Sequence, residues 1–201
     1  MTVTPPAATQ RPSDPRVPIG HPLGRRIAVV GGGGKTTLAR ALAAKLGLPF
    51  VELDVLFWQP GWVESAPGEL VVKVAAGIAA APDGWIVDGN YWTRLRDLVV
   101  GQADTVIWVN MPWRVMFWRI SLRALRRATD RQPICGENYE SWRHTFLSRK
   151  SLLWWHIKNR RRYNRAEERM LPMVPSGVPL IDLASPRDLK RFYTLQGLRR
   201  Q

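Results

Sequence analysis

Short apolar runs alternate along this chain with longer stretches of helical period. Ile27 to Val30, Phe50 to Leu53, Trp85 to Val87, Thr105 to Val109 and Val178 to Leu183 are rich in β-branched and large apolar residues. Runs of this kind form strands buried on both faces. After Lys35, Leu38, Leu42 and Leu46 recur every fourth residue, and Gly47 stands where such a helix would stop. Leu70 to Ala80 is an alanine-rich helix candidate, and Trp113 to about Ala128 follows Pro112, which suits a first helical turn. Glu140 to Arg169 reads as a further helix with Trp142, Phe146, Leu153 and Trp154 on its apolar side. Ser185-Pro186-Arg187-Asp188 supplies an N-cap, a first-turn proline and an acidic third position for the last helix. Strands separated by helices predict right-handed βαβ crossovers, hence an α/β fold on a parallel sheet. Met1 to Leu23, with prolines at 5, 6, 12, 15, 18 and 22, has no such period and reads as a disordered tail. Thr129 to Tyr139 contains Pro133 and Gly136 and reads as a break or mobile segment.

A length of 201 residues accommodates one domain with its own core, expected over residues 24–201. Neither an eighteen-residue apolar run nor an apolar stretch near Met1 is present, so no membrane span or secretory signal is expected and the cytoplasm is the default location. Cys135 is the single cysteine, which excludes an internal disulfide and a cysteine metal cluster and reads as an incidental thiol. The net charge of +14 is concentrated: residues 114–169 hold fifteen Lys and Arg against five Asp and Glu. Within it Arg119, Arg123, Arg126 and Arg127 make one face of the Trp113 helix cationic. Such a field is either a solvated basic surface or an attractor of polyanions, meaning nucleoside triphosphates, phosphorylated substrates or nucleic acid.

Chemistry enters at Gly31-Gly32-Gly33-Gly34-Lys35-Thr36-Thr37, between the first strand and its helix. Glycine amides can converge on phosphate oxygens without a Cβ in the way, and the first helical turn adds unpaired donors. Lys35 would reach the β- and γ-phosphates, Thr36 would take a place on Mg²⁺, and Thr37 would support the loop or the α-phosphate. The full motif asks for a glycine five residues before Gly34, where Val29 stands, so the loop is two residues short. Ligands collect beyond the carboxyl ends of parallel strands, and Asp54 and Asp88 stand at two such ends. Asp54 would hold Mg²⁺ through water or accept a proton from a substrate hydroxyl; its structural alternative is a cap. Phe57 to Trp62 is aromatic and turn-rich, suited to an acceptor pocket or to ordinary packing.

The glycine loop with Lys35-Thr36-Thr37, LDVLFWQPGW from Leu53 to Trp62, WIVDGNY from Trp85 to Tyr91, ADTVIWVNMP from Ala103 to Pro112 and the Arg-rich helices beyond resemble the P-loop kinase superfamily in its adenylate kinase-like branch. More narrowly, they are similar to bacterial topology modulation (FlaR-like) proteins. The resemblance implies a three-layer fold, a five-stranded parallel sheet in the order 2-3-1-4-5, and a helical Arg-rich lid over about 129–165. It implies that Asp88 bears on Mg²⁺ through water, that Arg119 stacks on adenine, and that Arg123 touches the transferred phosphate. Ser185 and Pro186 would sit near the adenine edge. Asn110 stands where relatives usually carry Asp.

The chain is therefore expected to be an ATP-dependent phosphotransferase for a small hydroxyl- or phosphate-bearing metabolite. Lys35, Mg²⁺ and the arginines, Arg123 and Arg127 among them, would neutralise charge while Asp54 orients the acceptor. A nucleic-acid-binding protein, reading the basic region with its interleaved tryptophans, and a degenerate nucleotide-binding module are the alternatives.

Overall fold

The computed structural model describes residues 14–130, 133–135, 138–139, 154, 157–160 and 165–199. In chain order its elements are β1 (Arg16–Val17), β2 (Arg26–Gly32), α1 (Lys35–Leu46), β3 (Phe50–Glu52), α2 (Leu53–Phe57), β4 (Trp58–Gln59), β5 (Val63–Glu64), α3 (Pro67–Ala79) and β6 (Trp85–Asp88). There follow α4 (Trp92–Leu95), a π-helical turn (Arg96–Val100), β7 (Thr105–Asn110), α5 (Trp113–Asp130), β8 (Pro133–Ile134), β9 (Asn138–Tyr139), α6 (Ala166–Met170), β10 (Leu180–Leu183) and α7 (Pro186–Leu195).

Six strands make one parallel sheet in the order β1-β10-β7-β2-β6-β3. β4 with β5 and β8 with β9 form two separate antiparallel hairpins. The alternation of side chains explains why each strand reads as a continuous apolar run. Ile27 and Val29 join the core shared with Leu38, Leu42 and Phe192 of α1 and α7. Ala28 and Val30, one step away along β2, join the other core with Leu53, Phe57, Leu70 and Val74 of α2 and α3. The result is α/β, with helices on both sides of the sheet.

The expected order 2-3-1-4-5 is present, with one strand more than expected. That strand, β1, corrects the reading of Met1 to Leu23 as a disordered tail. Arg16 and Val17 pair in parallel with Leu180 and Ile181, and Leu180 donates its N–H to the Pro15 carbonyl at 2.9 Å. Prolines at 15 and 18 are compatible with this place because an edge strand needs only one side of its backbone for the ladder. Residues 1–13 lie outside the described residues. The break expected from Thr129 is likewise displaced: α5 continues to Asp130, and Pro133 to Tyr139 includes the β8–β9 hairpin. Most of the helix expected over Glu140 to Arg169, including Trp142, Phe146, Leu153, Arg161 and Arg162, lies outside the described residues, and with it most of the expected lid.

The helix signals hold. Gly47 caps α1 at φ 63°, its N–H bonded to the Ala43 carbonyl. Ser185 Oγ accepts the Asp188 N–H at 3.1 Å, and the Asp188 carboxylate lies 2.7 Å from the same hydroxyl. Among the described residues no helix is long and apolar enough to cross a membrane.

Candidate functional site

β2 does not end at Val30. Gly31 and Gly32 continue its register against Val109 and Asn110 of β7, and only Gly33 (φ 76°) and Gly34 (φ 138°) turn the chain into α1. Gly31 is itself left-handed at φ 98°, and a Cβ there would stand 2.2 Å from the Val109 carbonyl oxygen. Its N–H is donated to Asn90 Oδ1 at 2.8 Å, while Asn90 Nδ2 donates to its carbonyl at 2.7 Å. Of the four glycines expected to cup phosphate, Gly31 has its N–H engaged by Asn90 and Gly32 continues the strand, so the turn proper is Gly33 and Gly34. Past the turn, α1 begins at Lys35 with no capping side chain and no acidic residue in its first turn. Its opening amides therefore present an uncapped, electropositive end.

Lys35, at that end, is folded back onto two carboxylates. Its Nζ is 3.1 Å from Asp88 Oδ1 and 3.7 Å from Asp54 Oδ2. Asp88 closes β6, in register with Val29 and Glu52 on either side, and its side chain is completely buried. Burial pushes its carboxyl above the usual carboxylate range, against the opposing pull of Lys35 and Thr36. Neither Asp88 oxygen has a well-formed hydrogen bond. Asp54 sits in the first turn of α2, and its Oδ1 accepts the Tyr91 hydroxyl at 2.9 Å. Burial and the Asp54 charge raise the Tyr91 phenol, so it stays a proton donor. Asp54 is thus held between a neutral donor on one oxygen and an ammonium on the other.

A Mg²⁺ ion, which the resemblance implies, suits the oxygens here: a hydroxyl on Thr36 and a carboxylate on Asp88 that faces Lys35 and Thr36 without a well-formed hydrogen bond. Among the described residues no three His, Cys, Asp or Glu side chains gather as a metal cage. Phosphate oxygens and water would have to complete the shell, as is usual for this ion.

Arg119, Arg123 and Arg127 follow one another at four-residue intervals on α5. Arg119 Nη1 donates to the Gly33 carbonyl. At the far end, the charges of Arg127 and Arg123 are felt at Cys135, where burial first, then Asp54 and Glu52, lift the thiol to about 11. The row therefore runs from the glycine turn toward the hairpin that bears Cys135. Ser185 and Pro186 open α7, and Leu189 in its first turn lies 3.5 Å from where a Gly34 Cβ would be. Thr37 is exposed on α1. The structure thus brings Lys35, Thr36, Asp54 and Asp88 together, sets Arg119 and the start of α7 beside the turn, and leaves Arg123 and Arg127 toward Cys135. Trp113, one of the tryptophans considered as a base platform, is stacked on Phe117 at 5.2 Å and covered by Arg160, whose guanidinium carbon is 5.9 Å from its ring centre.

Three residues here escape sequence reasoning: Asn90, which grips Gly31; Tyr91, which donates to Asp54; and Asn138, which is bonded to Trp62. The DGNY run placed the first two beside the site without disclosing either bond.

The fold and site define an α/β protein with a lysine between an acidic strand end, Asp88, and an acidic first helical turn, Asp54, at the carboxyl edge of a parallel sheet. No family model matches the chain, and no curated protein matches it. Among solved structures it is similar to a Chloroflexus aurantiacus protein provisionally described as a kinase, with 17% identity over 86% of this chain and 97% of that one and a TM-score of 0.49. It is also similar to an unliganded sugar kinase from Janibacter sp., with 19% identity over 89% of this chain and 97% of that one and a TM-score of 0.45.

Proposed function

We propose that this protein is a kinase that moves the terminal phosphoryl group of ATP to a small acceptor bearing a hydroxyl or phosphate group, within the adenylate kinase-like branch and its topology modulation (FlaR-like) members. The observation that carries the reading is the position of Lys35. Its ammonium stands at the uncapped start of α1, and it bridges a buried carboxylate at the end of β6 and a partly exposed one in the first turn of α2. A fold gains little by burying Asp88 with one cation and no well-formed hydrogen bond. A site that must receive phosphate and a divalent cation has use for both groups.

In the mechanism, Lys35 leaves the carboxylates and pairs with the phosphate oxygens, which also meet the amides at the start of α1. Mg²⁺, held by Thr36 and through water by Asp88, would supply charge neutralisation at the phosphates. Arg119 steadies the turn from the Gly33 carbonyl, and Arg123 and Arg127 add positive charge toward the acceptor. Asp54 Oδ2, freed from Lys35, takes the hydroxyl proton of the acceptor as its oxygen bonds to the γ-phosphorus. The bond from that phosphorus to the β,γ-bridging oxygen breaks, and ADP leaves with the electron pair. Tyr91 holds the other oxygen of Asp54 throughout.

The test is direct. ATP with Mg²⁺ is expected to raise the melting temperature, Lys35→Ala to abolish the rise, and one member of a metabolite panel to be phosphorylated. Absence of any rise overturns the reading. Binding without turnover on any acceptor reduces the protein to a nucleotide-binding module.

A further inference from the structure

Two hairpins distant in sequence meet at one buried side chain. Asn138, in β9, is 2% exposed, an unusual degree of burial for an amide. Its Oδ1 accepts the Trp62 N–H at 2.7 Å, and its Nδ2 donates to the carbonyls of Gln59 at 3.0 Å and Cys135 at 3.1 Å. Trp62 Nε1 adds a bond of 3.3 Å to the Tyr139 carbonyl. One amide thus joins the β4–β5 hairpin to the β8–β9 hairpin and satisfies its donors and acceptor in doing so. The junction also explains the backbone. Trp62 (φ 60°) and Cys135 (φ 47°) are the left-handed non-glycine residues among the described ones, and each has a backbone group bonded to Asn138. Such conformations persist where the surroundings over-determine them.

The joined hairpins belong to the site. β4 follows directly on α2, which bears Asp54, and the far end of β5 returns to α2 through Ser65, whose N–H reaches the Phe57 carbonyl at 2.8 Å and whose hydroxyl reaches the Leu56 carbonyl at 3.0 Å. Phe57 packs on the ring of Tyr91, the donor to Asp54, at 4.8 Å. On the opposite side, Cys135 lies within the field of Asp54, Arg123 and Arg127.

We infer that Asn138 is a positioning residue of the acceptor site: by joining the 58–64 and 133–139 hairpins it fixes the wall beside Asp54 and keeps water from competing with the acceptor for the phosphoryl group. The inference rests on the kinase reading above. Asn138 touches neither phosphate nor Asp54, so its effect falls on coupling and not on nucleotide binding.

Asn138→Ala is expected to raise the acceptor KM and the ATP consumed per acceptor phosphorylated about tenfold, the scale of a lost set of buried hydrogen bonds. The melting-temperature rise with ATP and Mg²⁺ is expected to remain. Hydrogen exchange at the Trp62 amide is expected to accelerate by about tenfold or more. Asn138→Asp keeps the acceptor for Trp62 but turns a carboxylate toward two carbonyls. It is expected to be uncoupled at neutral pH and to regain coupling as pH falls and the protonated carboxyl donates, a dependence that loss of packing would not produce. Unchanged Trp62 exchange in Asn138→Ala, or equal losses of nucleotide binding and transfer, overturns the inference. If the unaltered protein phosphorylates no acceptor, the kinase reading fails and takes the acceptor role with it, while Trp62 exchange still reports separately whether Asn138 joins the hairpins.

Discussion

Gly31 has no room for a side chain. Its φ of 98° and the 2.2 Å between a prospective Cβ and the Val109 carbonyl oxygen come from the same cause, the close pairing of β2 with β7 at the point where the chain must turn. Gly31→Ala is therefore expected to destabilise the protein by about 3 kcal/mol or more, measured by denaturant unfolding, since backbone strain and a backbone clash add. The melting-temperature rise with ATP and Mg²⁺ is expected to shrink with it, because the turn that presents α1 moves. Asn90 works on the same residue from the other side, closing both backbone groups of Gly31 in one amide pair. Tyr91 next to it shows how a neighbour is recruited: with its phenol held protonated by burial and by Asp54, it can only donate, and so it leaves Asp54 one oxygen for chemistry.

The elements that sequence made legible are those whose period or punctuation is local. The apolar runs became strands because both faces of this sheet are covered, and Gly47 and Ser185 mark helix ends by bonds within five residues. Ser185→Ala, which removes the cap of α7, is expected to cost about 1 kcal/mol in thermal or denaturant unfolding. The change is expected to reach the glycine turn as well, since Leu189 of α7 flanks Gly34. What escaped sequence reasoning was non-local. β1 is two residues between prolines, and nothing in Arg16-Val17 announces that Leu180 and Ile181 will lie beside it. Four glycines in a row gave no sign that the first two would extend a strand, because that depends on Val109 and Asn110 as partners. Lys35, Asp54 and Asp88 do lie together, but β3 ends at Glu52 and Asp54, expected at the strand end, stands in the first turn of α2; the Asn138 junction was not legible, because its bonds to Gln59 and Trp62 span seventy-nine and seventy-six residues.

At the scale of the molecule, the site is two half-sites from different parts of the sheet. On the proposed kinase reading, β2, α1, α5 and α7 would build the phosphate end, while β3, α2, β6 and the joined hairpins would build the acceptor end. Lys35 links them, since in this state its ammonium is shared by Asp88 at 3.1 Å and Asp54 at 3.7 Å. A phosphate that draws Lys35 away frees Asp54 for the acceptor, and an acceptor hydroxyl that engages Asp54 weakens its hold on Lys35. By reciprocity, each substrate should then favour the binding of the other. Asp54→Asn removes the competing charge on the acceptor side and leaves Asp88 in place. ATP binding by calorimetry is expected to tighten by about two- to fivefold, the scale of a partly exposed ion pair, while transfer to the acceptor is lost. The decisive comparison is the same titration with the acceptor present. In the unaltered protein the acceptor is expected to strengthen ATP binding, and in Asp54→Asn to leave it unchanged, because the group through which the two half-sites communicate no longer competes for Lys35.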